Sequence, residues 1–155
     1  MSGFIKEILI AHKAGAELFE IDVAELVLDK GISGDRYFKT MGTFSEKLKE
    51  SKDFEVTLIE QEEIDTFNQA TQLNYPNNKF RRNIITTDIN LPELIGKEFN
   101  IGSTRLKGIR FCEPCAYLSK LLGKEIMSHM MHKSGIRAAI ISDGLIRKGD
   151  PIHQC

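Results

Sequence analysis

Short runs of alternating apolar and polar residues, separated by closely spaced turn signals, predict a mainly β protein. β-Branched and aromatic residues are frequent in these runs, as is typical of strands. Strands are expected at Phe4–Ile10, Ile21–Leu28, Phe54–Glu60, Ile84–Thr87 and Ile136–Ser142.

Two turn signals predict hairpins. Gly102 and Ser103 form a two-residue connection within Lys97–Ile109, and Asp143–Gly144 is a strong turn signal between Ile136–Ser142 and Leu145–Arg147. Hairpins join antiparallel neighbours, so we expect antiparallel pairing in the sheet.

Helical periodicity is restricted to brief segments, namely Gln61–Gln72, Leu91–Gly96, Ala116–Leu122 and Lys124–Lys133. Strands and helices do not alternate in a repeating βαβ pattern, which favours a β-barrel with a few short helical insertions. The length of 155 residues suits one domain spanning residues 1–155. The polar stretch Lys39–Lys52 is expected to be a mobile excursion without chemistry.

Composition excludes several classes of protein. A formal net charge of −1 argues against a general nucleic-acid or membrane-surface binder, because such proteins carry a basic excess. The first residues, MSGFIKEILIAH, contain no basic region followed by a long apolar run, so no signal peptide is expected. Eighteen consecutive apolar residues occur nowhere, so no membrane span is expected either. Three cysteines, an odd number, suit a reducing compartment. We therefore expect a cytoplasmic protein.

The most reactive side chains are concentrated at a predicted junction of strand and helix. Cys112 and Cys115 stand three positions apart, directly before the helix Ala116–Leu122. N–H groups in the first turn of a helix favour a thiolate, the nucleophilic and metal-binding form of cysteine. Arg110 would favour the thiolate further, whereas Glu113 would oppose it. A cysteine can equally serve as a small apolar core residue, so both roles stay open.

Two other stretches carry groups suited to anions. They are the glycine-containing loop Asp29–Arg36, with Gly34, Asp35 and Arg36, and the strand entry at Arg81, Arg82 and Asn83. Arginine offers a planar fork of donors that matches phosphate and other oxyanions. Adjacent strand residues point to opposite faces, so one arginine of the Arg81–Arg82 pair is expected to face a given pocket. A plain connecting loop and surface arginines are the alternatives.

Three chemical interpretations of the cysteine pair compete. Structural zinc would use Cys112, Cys115, His129 and His132, although the histidine spacing is short for that pattern. Thiol–disulfide exchange would use Cys112 as the attacking thiolate and Cys115 as the resolving thiol, but antiparallel pairing disagrees with a thioredoxin-like fold. In the third interpretation the thiolate binds a soft metal or carries sulfur, beside an anionic cofactor held by arginines.

Four segments, taken together and in order, resemble the MOSC domain, the family named after the C-terminal domain of molybdenum cofactor sulfurase. They are GISGDR (Gly31–Arg36), FRRNI (Phe80–Ile84), Leu94–Gly123 and His132–Ile152. The resemblance implies a mainly β barrel that binds the molybdenum cofactor, a pterin phosphate with a dithiolene-held metal. In some members it implies handling of the cofactor's sulfur or reduction of N-hydroxylated compounds.

The resemblance also implies roles for individual residues. Cys115 or Cys112 would be the catalytic cysteine, acting as a molybdenum ligand or bearing a persulfide. The cofactor-binding residues would be Arg81, Arg82, Asn83, Gly34, Asp35, Arg36, His132 and Arg137, with the four arginines around the pterin phosphate. Tyr37 stands where bacterial members usually have histidine, which puts a proton-transfer role at that position in doubt.

The resemblance leaves the use of the cofactor open. We expect no pyridoxal-phosphate domain in this chain, so sulfur or electrons would come from a partner, either a desulfurase or an electron-transfer protein. Neither nucleic acid nor membrane is an expected partner. Reduction of N-hydroxylated compounds and transport of sulfur or cofactor remain alternatives. Thiol–disulfide exchange through the CEPC motif (Cys112–Cys115) is a further alternative.

Overall fold

The computed structural model describes residues 2–38, 55–114, 116–123 and 125–155. Its strands are β1 (Ser2–Ile10), β2 (Phe19–Ile21), β3 (Val23–Val27), β4 (Gly31–Ile32), β5 (Val56–Glu60), β6 (Ile84–Thr87), β7 (Glu98–Ile101), β8 (Thr104–Phe111), β9 (Ile136–Ser142), β10 (Gly144–Arg147) and β11 (Pro151–Gln154). Its helices are α1 (Gln61–Thr71), α2 (Ala116–Leu122) and α3 (Glu125–Met130), and 3₁₀ turns lie at Asn77–Phe80 and Leu91–Leu94. The predicted stretch Lys39–Lys52 lies outside the described residues.

Seven strands close into a barrel in the order β11-β7-β8-β9-β5-β6-β1, and β1 returns to β11. Closure joins the beginning and the end of the sequence, with Gly3 opposite Ile152. The short strand β2 adds to the other part of β1, outside the closed ring. The predicted mainly β barrel with a few short helices is confirmed.

One barrel pairing departs from the antiparallel expectation. β5 and β6 run parallel, with Leu58 opposite Ile84. The connection between them contains α1, and it is long enough to carry the chain back across the barrel before β6 begins. The other barrel pairings in the described part of the chain are antiparallel.

The predicted hairpin at Asp143–Gly144 is wrong. β10 leaves the barrel and pairs with β3 in a separate three-stranded sheet of order β10-β3-β4. The side chain of Asp143 accepts a hydrogen bond from the N–H of Leu28 at 2.5 Å, which ties the turn to β3. The predicted strand Ile21–Leu28 is accordingly divided, because β2 and β3 belong to different sheets.

Two apolar layers hold these elements together. Strand alternation places Ile8, Leu58 and Ile84 inside the barrel and the following residue of each strand outside it. The outer set packs under the helices, which contribute Phe67, Leu118, Leu122, Ile126 and Met130. The helices therefore cover one side of the barrel. No helix among the described residues is long and apolar enough to cross a membrane.

Candidate functional site at one end of the barrel

The cysteine, arginine and glycine motifs meet at one end of the barrel. β1 and β8 end there, and β5, β6 and β9 begin there, as the register pairs Ile8 with Ile84, Leu58 with Ile136 and Phe111 with Ile136. The fold therefore brings together segments that are far apart in the sequence, because β1 ends at Ile10 and β9 begins at Ile136.

Arg82 is the centre of this cluster and is only 6% exposed. Its Nε donates to the carbonyl of Ser134 at 2.8 Å, and its Nη1 donates to the carbonyl of Phe80 at 3.1 Å. Its Nη2 donates to the carbonyl of Cys112 at 2.8 Å and to the Ser134 hydroxyl at 3.3 Å. Among the described residues its partners are neutral oxygens. A buried positive charge without an opposite charge is unfavourable, so this position favours an anion nearby.

The loop that starts at Cys112 is fixed by backbone contacts. Cys112 is buried, its N–H donates to the carbonyl of Gly135 at 2.9 Å, and its carbonyl accepts from both Arg82 and the Ser134 hydroxyl. Gly135 has a φ of +95°, and a Cβ there would overlap the carbonyl oxygen of Leu58. Glycine is required where the backbones approach this closely. Cys115 lies outside the described residues.

A carboxylate–histidine pair borders the cysteine loop. Glu113 Oε1 accepts the N–H of His132 at 2.7 Å, and its Oε2 lies 2.5 Å from His132 Nδ1. The His132 ring also packs against Phe111, with centroids 4.7 Å apart. His132 has a φ of +61°, a conformation that is uncommon for residues other than glycine. The double contact with Glu113 holds the imidazole at the surface of the site.

A buried ion pair anchors the glycine-containing loop. Arg36 Nη1 lies 3.1 Å from Asp35 Oδ1, and Arg36 Nη2 donates to the carbonyl of Arg81 at 2.9 Å. Asp35 Oδ1 also accepts the N–H of Ala11 at 3.1 Å. Both side chains are nearly fully buried. Asp35 and Arg36 therefore connect the end of β1, their own loop and the turn before Asn83.

Tyr37 lies close to two guanidinium groups. The guanidinium carbon of Arg36 is 4.4 Å from the ring centroid, and that of Arg137 is 5.8 Å away. The face of an aromatic ring attracts cations, so Tyr37 stabilises both arginines at the barrel end. Arg137 is also largely buried. The tyrosine thus belongs to the positively charged part of the site.

Asn83 and Arg81 have different surroundings. Asn83 is fully buried; its Oδ1 accepts from the N–H and hydroxyl of Thr57, and its Nδ2 donates to the carbonyl of Leu9. These contacts join the starts of β5 and β6 to the end of β1. Arg81 donates through Nη1 to the carbonyl of Ala16 at 2.8 Å, in the loop after β1. The structure therefore brings Arg82 to the carbonyl of Cys112 and Nη1 of Arg81 to the carbonyl of Ala16.

The two histidines of the zinc interpretation have different environments. His129 is exposed, and its ring centroid lies 6.1 Å from that of Phe67, whereas His132 contacts Phe111 and Glu113. Within the described ranges, no group of three or more His, Cys, Asp or Glu side chains could hold a metal ion.

Ser134 is a member of the cluster that the sequence did not indicate. Its carbonyl and hydroxyl both bind Arg82, and the hydroxyl also donates to the carbonyl of Cys112. Its position directly before the glycine turn at Gly135 was the available signal. That signal is weak, because small polar residues are common before glycine turns.

The model of the MOSC domain family matches residues 45–153, and the chain belongs to that family. The YuaD protein from Bacillus subtilis has the same fold, with a TM-score of 0.81 and 15% identity over 98% of this chain and 94% of that one. YiiM from Escherichia coli gives a TM-score of 0.70 and 17% identity over 100% of this chain and 70% of that one. YiiM from Geobacillus stearothermophilus gives a TM-score of 0.71 and 13% identity over 99% of this chain and 75% of that one. No match is found among curated proteins.

Proposed function

We propose that the protein binds the molybdenum cofactor at this end of the barrel, with Cys115 or Cys112 as a thiolate that contacts the metal or carries its sulfur. The observation that supports the proposal best is the buried charge of Arg82, which contacts the cysteine loop and has neutral oxygens as its described partners. A thiolate or an oxyanion placed near that charge would compensate it.

The residues of the site fit an anionic group in charge. Arg36, Arg82 and Arg137 are all buried near the barrel end, and Arg36 forms an ion pair with Asp35. Arg36 and Arg82 hold protein oxygens with their guanidinium groups, so they would act on a ligand through their charge and through the loops they fix. Cys112 adds a soft ligand atom, and thiolates favour soft metal centres. When bound, the cofactor would supply a metal that exchanges electrons, oxygen or sulfur.

Two uses of the cofactor follow from this chemistry. The protein reduces N-hydroxylated compounds with electrons from a transfer protein, or it carries sulfur or cofactor that a desulfurase or another donor supplies. In either case we place it in the cytoplasm, where the thiols stay reduced. Turnover of an N-hydroxylated base with a supplied electron donor separates the two uses, because a carrier gives none.

The cofactor assignment is tested by the amount of molybdenum bound per chain after anaerobic incubation with free cofactor. The wild type is compared with Cys112→Ser and Cys115→Ser, and with Cys155→Ser as the matched control. Cys155 is exposed and directly follows β11. β11 pairs with the beginning of β1, whereas the site lies where β1 ends. About one metal per chain, lost in one loop variant and kept in Cys155→Ser, is the expected result.

Two results would contradict the proposal. One is an absence of molybdenum on the folded wild type, and the other is retention of the metal by both loop variants. If the wild type binds no molybdenum and forms a reversible disulfide between Cys112 and Cys115 on oxidation, thiol–disulfide exchange is supported instead.

A further inference from the structure

A surface depression lies away from the cysteine loop, between β1, β2 and the turn Asn77–Phe80. It is open to solvent and has a volume of about 340 Å³, near the lower end of the range of small-molecule pockets. The carboxylates of Glu7 and Glu20 and the amides of Asn77 and Asn78 supply its polar lining. It shares no side chain with the cofactor site proposed above, so its role is a separate question.

Hydrogen-bond acceptors dominate this lining. Asn77 donates to Glu7 Oε1 at 3.0 Å, which orients that carboxylate. Asn78 Nδ2 donates to Glu17 Oε1 and to the carbonyl of Leu18, both at 3.1 Å. Because both partners are acceptors, the orientation of the Asn78 amide is fixed. Its Oδ1 is buried and has no donor among the described residues. The polar lining of the depression thus includes the carboxylates of Glu7 and Glu20, whereas the unsatisfied Asn78 oxygen is buried and not open to a ligand.

The depression also has an aromatic and aliphatic side. Phe19 is 40% exposed, and its ring lies against His12 with centroids 4.9 Å apart. Leu9 and Leu18 are buried and complete the apolar part of the lining. An aromatic face beside carboxylates is an arrangement that binds cations with apolar stems.

The ammonium group of Lys148 already interacts with one of these carboxylates, that of Glu20. Lys148 Nζ lies 2.8 Å from Glu20 Oε2, and the side chains of both residues are partly exposed. Hydrogen bonding and charge attraction to Glu20 raise the pKa of Lys148, with smaller contributions from Glu7 and Asp22. The field around the depression therefore favours an ammonium ion.

We propose that this depression binds an organic cation, an ammonium or guanidinium group carried on a short apolar stem. The cationic group contacts Glu7 and Glu20, and the stem lies along Phe19. Lys148 competes for Glu20, so it must move aside when the ligand enters. A free amine and a basic side chain of a partner share this chemistry.

The proposal is tested by titrating the protein with agmatine, which carries a guanidinium and an amine on a four-carbon stem, and following the backbone amide NMR shifts. Pentanol, an uncharged stem, is the control ligand. We expect saturable shifts near Phe19 and Asn78 for agmatine, with Kd on the order of 1 mM, and none for pentanol. Glu7→Gln and Glu20→Gln each weaken binding about three- to tenfold, whereas Glu98→Gln on the distant strand β7 leaves it unchanged.

Two further variants sharpen the test. Phe19→Ala weakens binding if the stem lies on the ring, and Lys148→Ala strengthens it about threefold because it removes the competing ammonium. A blocked arginine tripeptide distinguishes the sources. Binding tighter than agmatine indicates a partner's side chain, and weaker binding indicates a free amine. An absence of saturable shifts with either probe, or equal weakening by Glu98→Gln and Glu20→Gln, would overturn the proposal.

Discussion

Arg82 shows how one residue can be both a framework element and a source of charge. Its contacts reach Phe80, Cys112 and Ser134, which belong to three separate parts of the sequence. A guanidinium can span three carbonyls because its donors form a planar fork. An ammonium is a single point of charge and cannot hold all three, so lysine is not an equivalent residue here.

Arg82→Lys should therefore lower the free energy of unfolding by about 2–4 kcal/mol, because it leaves buried carbonyls without donors. Urea unfolding measures this loss. Arg105→Lys is the matched control, since Arg105 is half-exposed and its contact with Glu98 is 3.5 Å long. That control should change the free energy of unfolding by less than about 1 kcal/mol. Equal values for the two variants would show that the carbonyl contacts of Arg82 contribute little.

Two glycines with similar φ values allow the cost of close backbone contact to be tested separately from the cost of a positive φ. Gly135 and Gly149 have φ values of +95° and +93°, but a Cβ at Gly135 would overlap the Leu58 carbonyl, whereas one at Gly149 meets nothing within 4 Å. Gly149→Ala should cost about 1 kcal/mol, from the left-handed conformation alone. Gly135→Ala should cost at least about 3 kcal/mol or prevent folding, because the two backbones must separate. Thermal unfolding of both variants measures this difference. Equal losses of unfolding free energy in Gly135→Ala and Gly149→Ala would contradict it.

The arginine motif illustrates what sequence can and cannot tell about single residues. The alternation of strand side chains predicts that Arg81 and Arg82 point to different places. Which of them contacts the cysteine loop depends on the carbonyls of Cys112 and Ser134, which are 30 and 52 residues from Arg82 in the sequence. Local rules contain no information on those positions, so the sequence left open which of the two arginines faces the site.

At the level of elements, β10 shows a local signal that long-range contacts override. The Asp143–Gly144 pair favours a tight turn, yet the next strand finds its partner in β3. Ile146 is fully buried next to Ala24 and Leu26, and these contacts are gained by leaving the barrel. The parallel crossover from β5 to β6 escaped prediction for a similar reason. Helix α1 was expected, but its role as a crossover depends on which strand β6 pairs with.

The three-stranded sheet should depend on the side chain of Asp143. Asp143→Ala removes the acceptor for the Leu28 N–H and should lower the free energy of unfolding by about 1 kcal/mol. Hydrogen exchange at the Leu28 amide should become faster, while exchange at Ile8 in the barrel stays slow because that strand is unaffected. Unchanged exchange at Leu28 would show that the backbone pairing of β3 and β10 is sufficient by itself.

For the whole molecule, the pattern of apolar residues determined more of the fold than the turn signals did. Pairs such as Ile8–Leu9, Leu58–Ile59 and Ile84–Ile85 are apolar on both faces, and each pair contributes one residue to the barrel interior and one to the layer under the helices. Strands that are buried on both faces lose the simple alternation of a half-exposed sheet. This explains why the first strand contains the continuous apolar run Ile8–Ile10 and not a simple alternation, although the barrel itself was predicted.

The burial of Glu60 between the barrel and its helices makes the free energy of unfolding depend on pH. Glu60 ends β5 at the start of α1, and burial raises its pKa from 4.5 to about 7, although the N–H of Leu91 acts in the opposite direction. Glu63 and Glu62 raise the pKa further by charge repulsion. The folded protein therefore keeps a proton on Glu60 at pH values where the unfolded chain has lost it.

A folded state that binds more protons than the unfolded state loses stability as pH rises. The loss should begin near pH 4.5 and be complete slightly above pH 7, the two pKa values of Glu60. Glu60→Gln keeps the acceptor for Leu91 and removes the charge, so it should be more stable than the wild type by about 1 kcal/mol at high pH, after allowance for solvent screening. At low pH the two proteins should be nearly equal. Urea unfolding at both ends of this range measures the difference, and Glu98→Gln, on an exposed carboxylate, should show no comparable change between them. A constant difference between Glu60→Gln and the wild type across the range would mean that Glu60 ionises at an ordinary pKa in the folded protein.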